Sequence, residues 1–231
     1  MTLTARPATR RAMTPDLPLF SFLSVAALIG TAVFAVSGAL MGLRRQMDIV
    51  GVSFVATVTG VGGGTIRDLL LGATPVAWVR EPTDILLCVA CAVAVSAFNR
   101  QLTGSRAEAL VYADAAGLAL FCVLGADKAL AFGAHPFVAV LFGAMSASFG
   151  GVIRDVMCGE RPVLFSDELY ITPALVGAGV YVVLPDAAGP EVRVAAGAAA
   201  ALVLRVLALR LSLSIPFPRR RAPIDRGAPE G

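Results

Sequence analysis

GGTIRDLLLGATP, residues 63–75, and GGVIRDVMCGERP, residues 150–162, are two copies of one motif set 87 positions apart. Gly63, Gly64, Ile66, Arg67, Asp68, Gly72 and Pro75 have identical partners in Gly150, Gly151, Ile153, Arg154, Asp155, Gly159 and Pro162, and Thr59 falls opposite Ser146. At the same shift GTAVFAVSG (30–38) meets GLALFCVLG (117–125), matching Gly30, Phe34 and Gly38 to Gly117, Phe121 and Gly125. Two blocks in register without a gap identify an internal duplication.

The copies are embedded in apolar sequence. Of 231 residues, 57% are hydrophobic and 15% charged, with a mean hydropathy of +0.80. Soluble domains are nearer 45–50% apolar and about 25% charged, so this chain cannot clothe a water-solvated surface, and it is far too apolar for disorder. Hydropathy predicts seven spans, 19–42, 49–71, 84–98, 109–126, 137–158, 170–185 and 191–213, of which the third and sixth fall short of the ~20 residues a hydrocarbon core demands. The first run is too long for a signal peptide.

These spans predict an all-α integral membrane protein with seven transmembrane helices. The chain divides into an N-terminal segment 1–16, a first three-helix repeat 17–100, a second 101–187, a seventh helix 188–213 and an Arg/Pro-rich tail 214–231. Three spans per copy is an odd number, so the second copy enters the membrane from the opposite side. The two are expected to be inverted repeats about an axis in the membrane plane, with the Ala-rich seventh helix packed against them.

Three consecutive glycines, Gly62, Gly63 and Gly64, each cost about 1 kcal/mol in a helix relative to alanine. Gly150 and Gly151 repeat the pattern, so both helices are expected to break there, against protein or a wet cavity. Asp68 then falls in the first turn of a new half-helix, where a carboxylate suits the dipole. Arg67, Asp68, Arg154 and Asp155 are charges in apolar sequence, each costing on the order of 3 kcal/mol at mid-bilayer. They either pair across the copies as a staple, line an aqueous path, or do both. The hydroxyls of Thr59 and Ser146 offer oxygen ligands beside that path, whose permeant charge the residues alone leave open.

The copies also diverge. Asp114 aligns with Ala27 and Lys128 with Met41, and the fourteen residues between Asp114 and Lys128 put both on nearly one helix face at opposite ends. Either they snorkel to the two interfaces, or Lys128 stands at a pore mouth as a gating charge. Lys128 is the only lysine among 19 basic residues. Gly38-x-x-x-Gly42 permits close helix contact.

The basic residues favour an N-terminus outside and a C-terminus in the cytoplasm. That orientation puts Arg44, Arg45, Arg100, Arg106, Arg161, Arg210 and Arg219–Arg221 inside, against Arg6, Arg10, Arg11, Arg80, Lys128 and Arg193 outside.

Cys88 and Cys91 form a C-x-x-C on an apolar helix, where the spacing sets two small residues on one face rather than a metal site. With His135 the only histidine, histidine clusters and a Ser-His-Asp triad are excluded. No Walker, dinucleotide, hydrolase or H-E-x-x-H motif occurs, and a net charge of +3 gives no reason to expect nucleic acid. No enzyme activity and no cofactor are expected.

The doubled GG-x-x-R-D, the three-plus-three-plus-one spans and the short length resemble the prokaryotic trimeric intracellular cation (TRIC) channel family, which overlaps a bacterial group described as glycine transporters. The resemblance covers residues 17–213. It implies a homotrimer in the inner membrane, in contact with membrane lipids, with one pore per subunit that passes potassium and, less selectively, sodium. The glycine-broken second and fifth helices would line or gate that pore. Animal members carry a Lys-Glu-Val tripeptide linked to phosphoinositide binding, and this chain has none. Two rivals stand beside the channel: a secondary transporter of a small amino acid such as glycine, and a structural protein whose Arg-Asp pairs only join the halves.

Overall fold

The structure is a computed structural model and describes residues 22–98 and 106–213. The expected segment 1–16 and tail 214–231, Arg6, Arg10, Arg11, Arg100, Arg219–Arg221 and the side chain of Arg106 lie outside the described residues. Eight α-helices follow in order: α1 Phe22–Arg44, α2 Ile49–Leu70, α3 Ala77–Arg80, α4 Thr83–Ala97, α5 Arg106–Ala131, α6 Pro136–Met157, α7 Ile171–Val183 and α8 Pro190–Arg210. Five of them (α1, α2, α5, α6, α8) are long and apolar enough to cross a membrane, and α4 and α7 are shorter apolar helices. Large side chains such as Ile29, Phe54, Leu70, Phe137 and Val203 face outward, as lipid-facing positions should. The chain is thus an all-helical membrane protein. The short α3 was not expected; it occupies the link between α2 and α4.

The expected helix breaks do not occur. α2 and α6 run unbroken through Gly62–Gly64 and Gly150–Gly151, and Asp68 stands in the last turn of α2 rather than at the start of a half-helix. The glycines are there for close approach. A Cβ on Gly63 would be driven into the Ser146 carbonyl, and one on Gly150 would stand 2.6 Å from the Thr59 carbonyl. Closeness of this kind offsets the low helix propensity of glycine, and no backbone hydrogen bond is given up for it. Both helices instead end at a left-handed glycine. Gly72 (φ +70°) and Gly159 (φ +66°) let Ala73 N–H donate to the Asp68 carbonyl and Glu160 N–H to the Asp155 carbonyl, each at 2.8 Å.

Contacts between the copies come in reciprocal pairs. Gly63 meets Ser146 and Thr59 meets Gly150, so α2 and α6 pack antiparallel. In α1 and α5, a Cβ on Gly30 would stand 2.9 Å from the Phe121 ring, and one on Gly117 2.7 Å from the Phe34 ring. Phe34 and Phe121, partners in the duplication, stack on each other at 5.3 Å. Within each copy the first two helices meet in the same way, Gly38 against Thr59 and Ala56, Gly125 against Ser146 and Gly143. Cys88 packs against Gly60, and α8 lies on α7 through Gly177 and Gly197.

Gly63→Ala and Gly64→Ala separate close approach from propensity. Gly63→Ala forces the α2–α6 crossing apart and is expected to cost about 3 kcal/mol, the upper end of overpacking. At Gly64 an added Cβ meets only Arg67 Nη2 at 3.6 Å, so Gly64→Ala is expected to be neutral or to stabilise by up to about 1 kcal/mol. Thermal unfolding of the detergent-solubilised variants checks both.

Candidate functional site

The two Arg-Asp motifs build the same fork at the ends of α2 and α6. Arg67 Nε and Nη2 both point at Asp68 Oδ1, at 2.8 and 2.7 Å, and Arg154 Nε and Nη2 both point at Asp155 Oδ1, at 2.8 Å each. Each arginine therefore pairs with its own neighbour, not with an aspartate of the other copy as the staple reading expected. Neighbouring residues on a helix diverge by about 100°, but the long arginine stem lets the guanidinium fold back over the short aspartate. From the forks themselves, a pair of serine contacts and one ion pair cross between the copies, and a second ion pair, Arg45–Glu160 at 2.6 Å, crosses at the exposed end of α1. Arg67 Nη1 reaches Ser146 Oγ at 3.5 Å, Arg154 Nη1 reaches Ser37 Oγ at 2.5 Å, and Lys128 Nζ on α5 donates to Asp68 Oδ2 at 2.7 Å.

The ends of the molecule differ in what completes the fork. Around Arg154 every guanidinium nitrogen has a close acceptor: Nη1 also donates to Asp114 Oδ1 at 2.7 Å, and Asp155 Oδ2 in turn accepts from Val163 N–H at 3.2 Å. Arg154 is 1% exposed. Tyr170 closes over this site beside Gly151, and the Arg205 guanidinium of α8 stacks on its ring at 5.0 Å. Around Arg67 the carboxylate partner is missing, because α1 carries Ala27 where α5 carries Asp114.

At the Arg67 end a cavity of about 340 Å³ enters the molecule. Its walls include Ala27, Thr31, Gly64, Thr65, Trp78 and Phe121, and Arg67, Asp68, Asp84, Asp127 and Lys128 all border it. Lys128 keeps a side chain 30% exposed while bonding to Asp68. Asp114 and Lys128 do not snorkel to separate interfaces: Asp114 is buried in the closed cluster, and Lys128 reaches across to Asp68 on α2 at the border of the cavity. Thr59 and Ser146 are fully buried at the α2–α6 crossing, and Thr59 Oγ1 donates to the Val55 carbonyl at 2.6 Å. Gly62 faces Ile153.

Several residues here escaped the sequence reading. Trp78 of α3 walls the cavity and donates to Thr65 Oγ1 at 2.9 Å, which in turn donates to the Val61 carbonyl. Asp127 accepts a hydrogen bond from Tyr181; its charge at the edge of the fourth apolar span, beside Lys128, was the available signal. Ser37 carried none: an isolated serine in an apolar span gives no sign of the Arg154 it meets. Among the described residues no group of His, Cys, Asp or Glu is arranged to hold a metal.

Fold and site define a polytopic α-helical membrane protein in which a cavity bordered by charged side chains lies between two motif-bearing halves. The chain matches the family model described as "Glycine transporter" over residues 24–100 and 111–186. It is 40% identical over 154 residues to the UPF0126 inner membrane protein YadS of Escherichia coli strain K12, covering 67% of this chain and 74% of that one. To a UPF0126 membrane protein of Deinococcus radiodurans it is 39% identical, over 74% of this chain and 80% of that one. Among solved structures, it is similar to a TRIC trimeric intracellular cation channel orthologue from Rhodobacter sphaeroides, with a TM-score of 0.79, 45% identity, and coverage of 84% of this chain and all of that one. A prokaryotic TRIC channel in 0.5 M KCl is also similar, with a TM-score of 0.79, 31% identity, and coverage of 84% and 98%. The chain belongs to this family, the one that holds the UPF0126 membrane proteins and the prokaryotic TRIC channels.

The contrast between the two forks predicts unequal costs. Asp114→Asn strips a buried, fully bonded guanidinium of one counter-charge and is expected to destabilise by about 3 kcal/mol. Lys128→Met removes a partly solvated partner and is expected to cost about 1 kcal/mol or less. Denaturation midpoints of the two variants, each against wild type, check the ranking.

Proposed function

We propose that the protein is a potassium-permeable monovalent cation channel of the bacterial inner membrane, a homotrimer with one pore per subunit, its N-terminus outside and its C-terminus cytoplasmic. The observation that carries this reading is the cavity. It lies at one end of the helices, is bordered by Arg67, Asp68 and Lys128, and has beyond it the α2–α6 crossing, with the buried Arg154 cluster at the far end. Three carboxylates (Asp68, Asp84, Asp127) face it against two cations (Arg67, Lys128), an excess that favours cations in a narrow, poorly solvated space. The similar solved structures are cation channels by their descriptions, and the Escherichia coli relative is an inner membrane protein.

Seven spanning helices in two inverted repeats underlie this path. Reciprocal contacts support the inversion: residue i of one copy meeting j of the other, and j meeting i, is what a two-fold relation generates, and here the paired helices run antiparallel. Lys128 acts as the movable plug. It is the cation tied across the cavity to Asp68, and withdrawing it would clear the floor onto the crossing. α2 and α6 line the path as unbroken helices, with Gly62, Gly63, Gly64, Gly150 and Gly151 setting how tightly they close.

Planar-bilayer recording of the reconstituted protein under asymmetric KCl tests the channel. Unitary current steps are expected, with a reversal potential on the cation side, and Lys128→Gln is expected to raise the open fraction. Saturable, proton-coupled glycine uptake without unitary steps would replace the channel by the small-amino-acid carrier.

A further inference from the structure

Asp127 and Lys128 are consecutive on α5, and each is tied to a different helix. Lys128 Nζ donates to Asp68 on α2 at 2.7 Å, while Asp127 accepts from the Tyr181 hydroxyl on α7. Consecutive residues on a helix point about 100° apart, so the last turn of α5 is held from two sides. Both residues border the 340 Å³ cavity. The Tyr181 end of this tie is firmly seated. Tyr181 is 2% exposed, the Arg193 guanidinium of α8 lies 4.5 Å from its ring centre, and Arg193 Nε donates to its carbonyl at 3.2 Å. Arg193 is in turn paired with Asp186 in the turn between α7 and α8. Close packing joins the same three helices: a Cβ on Gly197 of α8 would stand 2.6 Å from the Val123 side chain on α5 and 3.2 Å from the Tyr181 Cβ. The first copy has no such tie, since Leu40 and Ala94 stand at the positions equivalent to Asp127 and Tyr181, and α8 lies outside the duplication.

We propose that Tyr181 is a positioning residue for the Lys128 plug: its hydroxyl, seated by Arg193, fixes Asp127 and thereby the rotation of α5 that aims Lys128 at Asp68. Ordering a lysine side chain on one acceptor carries a large cost in rotamer entropy, and a helix turn already fixed in rotation lowers that cost. No residue of α7 or α8 borders the cavity, so these helices act on it through Tyr181 and Arg193. The inference rests on the reading of Lys128 as the plug of a channel, and Lys128→Gln tests that reading separately.

Trp78 is the only tryptophan in the chain and walls the cavity, so its quenching by acrylamide reports how open the cavity is. Quenching is measured on the full-length protein in detergent, and open fraction by planar-bilayer recording, for wild type, Lys128→Gln, Tyr181→Phe and the double variant. Tyr181→Phe removes one hydroxyl and keeps the ring beside Arg193. It is expected to raise quenching and open fraction as Lys128→Gln does, the open fraction by about fivefold for one lost hydrogen bond. The double variant is expected to match Lys128→Gln alone, because the aim of an absent plug is immaterial. Asp127→Asn keeps an oxygen for the Tyr181 hydroxyl and is expected to leave quenching at the wild-type value, whereas Asp127→Ala is expected to reproduce Tyr181→Phe. Should Tyr181→Phe fail to fold, Arg193→Gln at the start of α8 replaces it, with the same direction expected. An inert Tyr181→Phe beside a responsive Lys128→Gln, additive effects in the double variant, or equal effects of Asp127→Asn and Asp127→Ala overturn the inference and leave the plug standing. An unresponsive Lys128→Gln overturns both together. The expected quenching pattern without unitary currents sinks the channel and upholds the positioning of Lys128.

Discussion

Two glycines make the rest of the molecule possible. Gly63 and Gly150 let α2 and α6 cross with backbone against backbone, each lying on the carbonyl of the residue that precedes its counterpart by one turn. In lipid no hydrophobic force draws helices together, so contact rests on dispersion and on how closely the backbones can approach. This crossing holds the two helices in antiparallel register. Because Arg67–Asp68 lies one turn beyond Gly63, and Arg154–Asp155 one turn beyond Gly150, the same register sets one fork toward each end of the molecule. The positions of both Arg-Asp forks follow from a contact that leaves no room for a methyl group.

With geometry fixed by symmetry, the difference between the ends comes from the helices around it. α2 and α6 keep Gly-Gly-x-x-Arg-Asp in both copies, whereas α1 and α5 diverge: Ala27 against Asp114, Met41 against Lys128, Leu124 against Ser37. Asp114 and Ser37 both serve Arg154, and Lys128 serves Asp68. The Arg154 end thus gains two acceptors and closes, while the Arg67 end has only a long contact to Ser146 and opens into a cavity. Burial of a guanidinium is tolerable only when its donors are engaged. The closed end satisfies that condition with protein groups, and the open end meets it with Asp68, a long contact to Ser146 and the cavity it borders.

Much of this was legible in the chain itself. The duplication, the seven apolar segments and the Arg-Asp pairs stand in the sequence, and the helices fall within a few residues of the expected spans. The glycines were misread because helix propensity is a local quantity and close approach is not: a Gly-Gly-Gly run reads as a break unless the partner carbonyl is known. The pairing of Arg67 with Asp68 rather than with the other copy was hidden for a related reason, since spacing along a helix says which face a residue occupies but not how a long side chain folds back. Asp127 and Trp78 needed the third dimension entirely, being brought to the cavity by α5 and by the four-residue helix α3.

A duplicated protein that carries solute across a bilayer faces a constraint that its symmetry cannot meet. If both forks were equally closed the centre would be dry, and if both were equally open the two buried arginines would be held by water alone at both ends, with little to anchor the crossing. Divergence at α1 and α5 resolves this, because those helices flank the forks without forming the crossing. A substitution such as alanine for aspartate at position 27 changes one end and leaves the glycine contact untouched. The conserved half of the repeat therefore carries the architecture and the divergent half carries the direction. For that reason the residues that decide what enters this protein are to be sought where its two halves disagree.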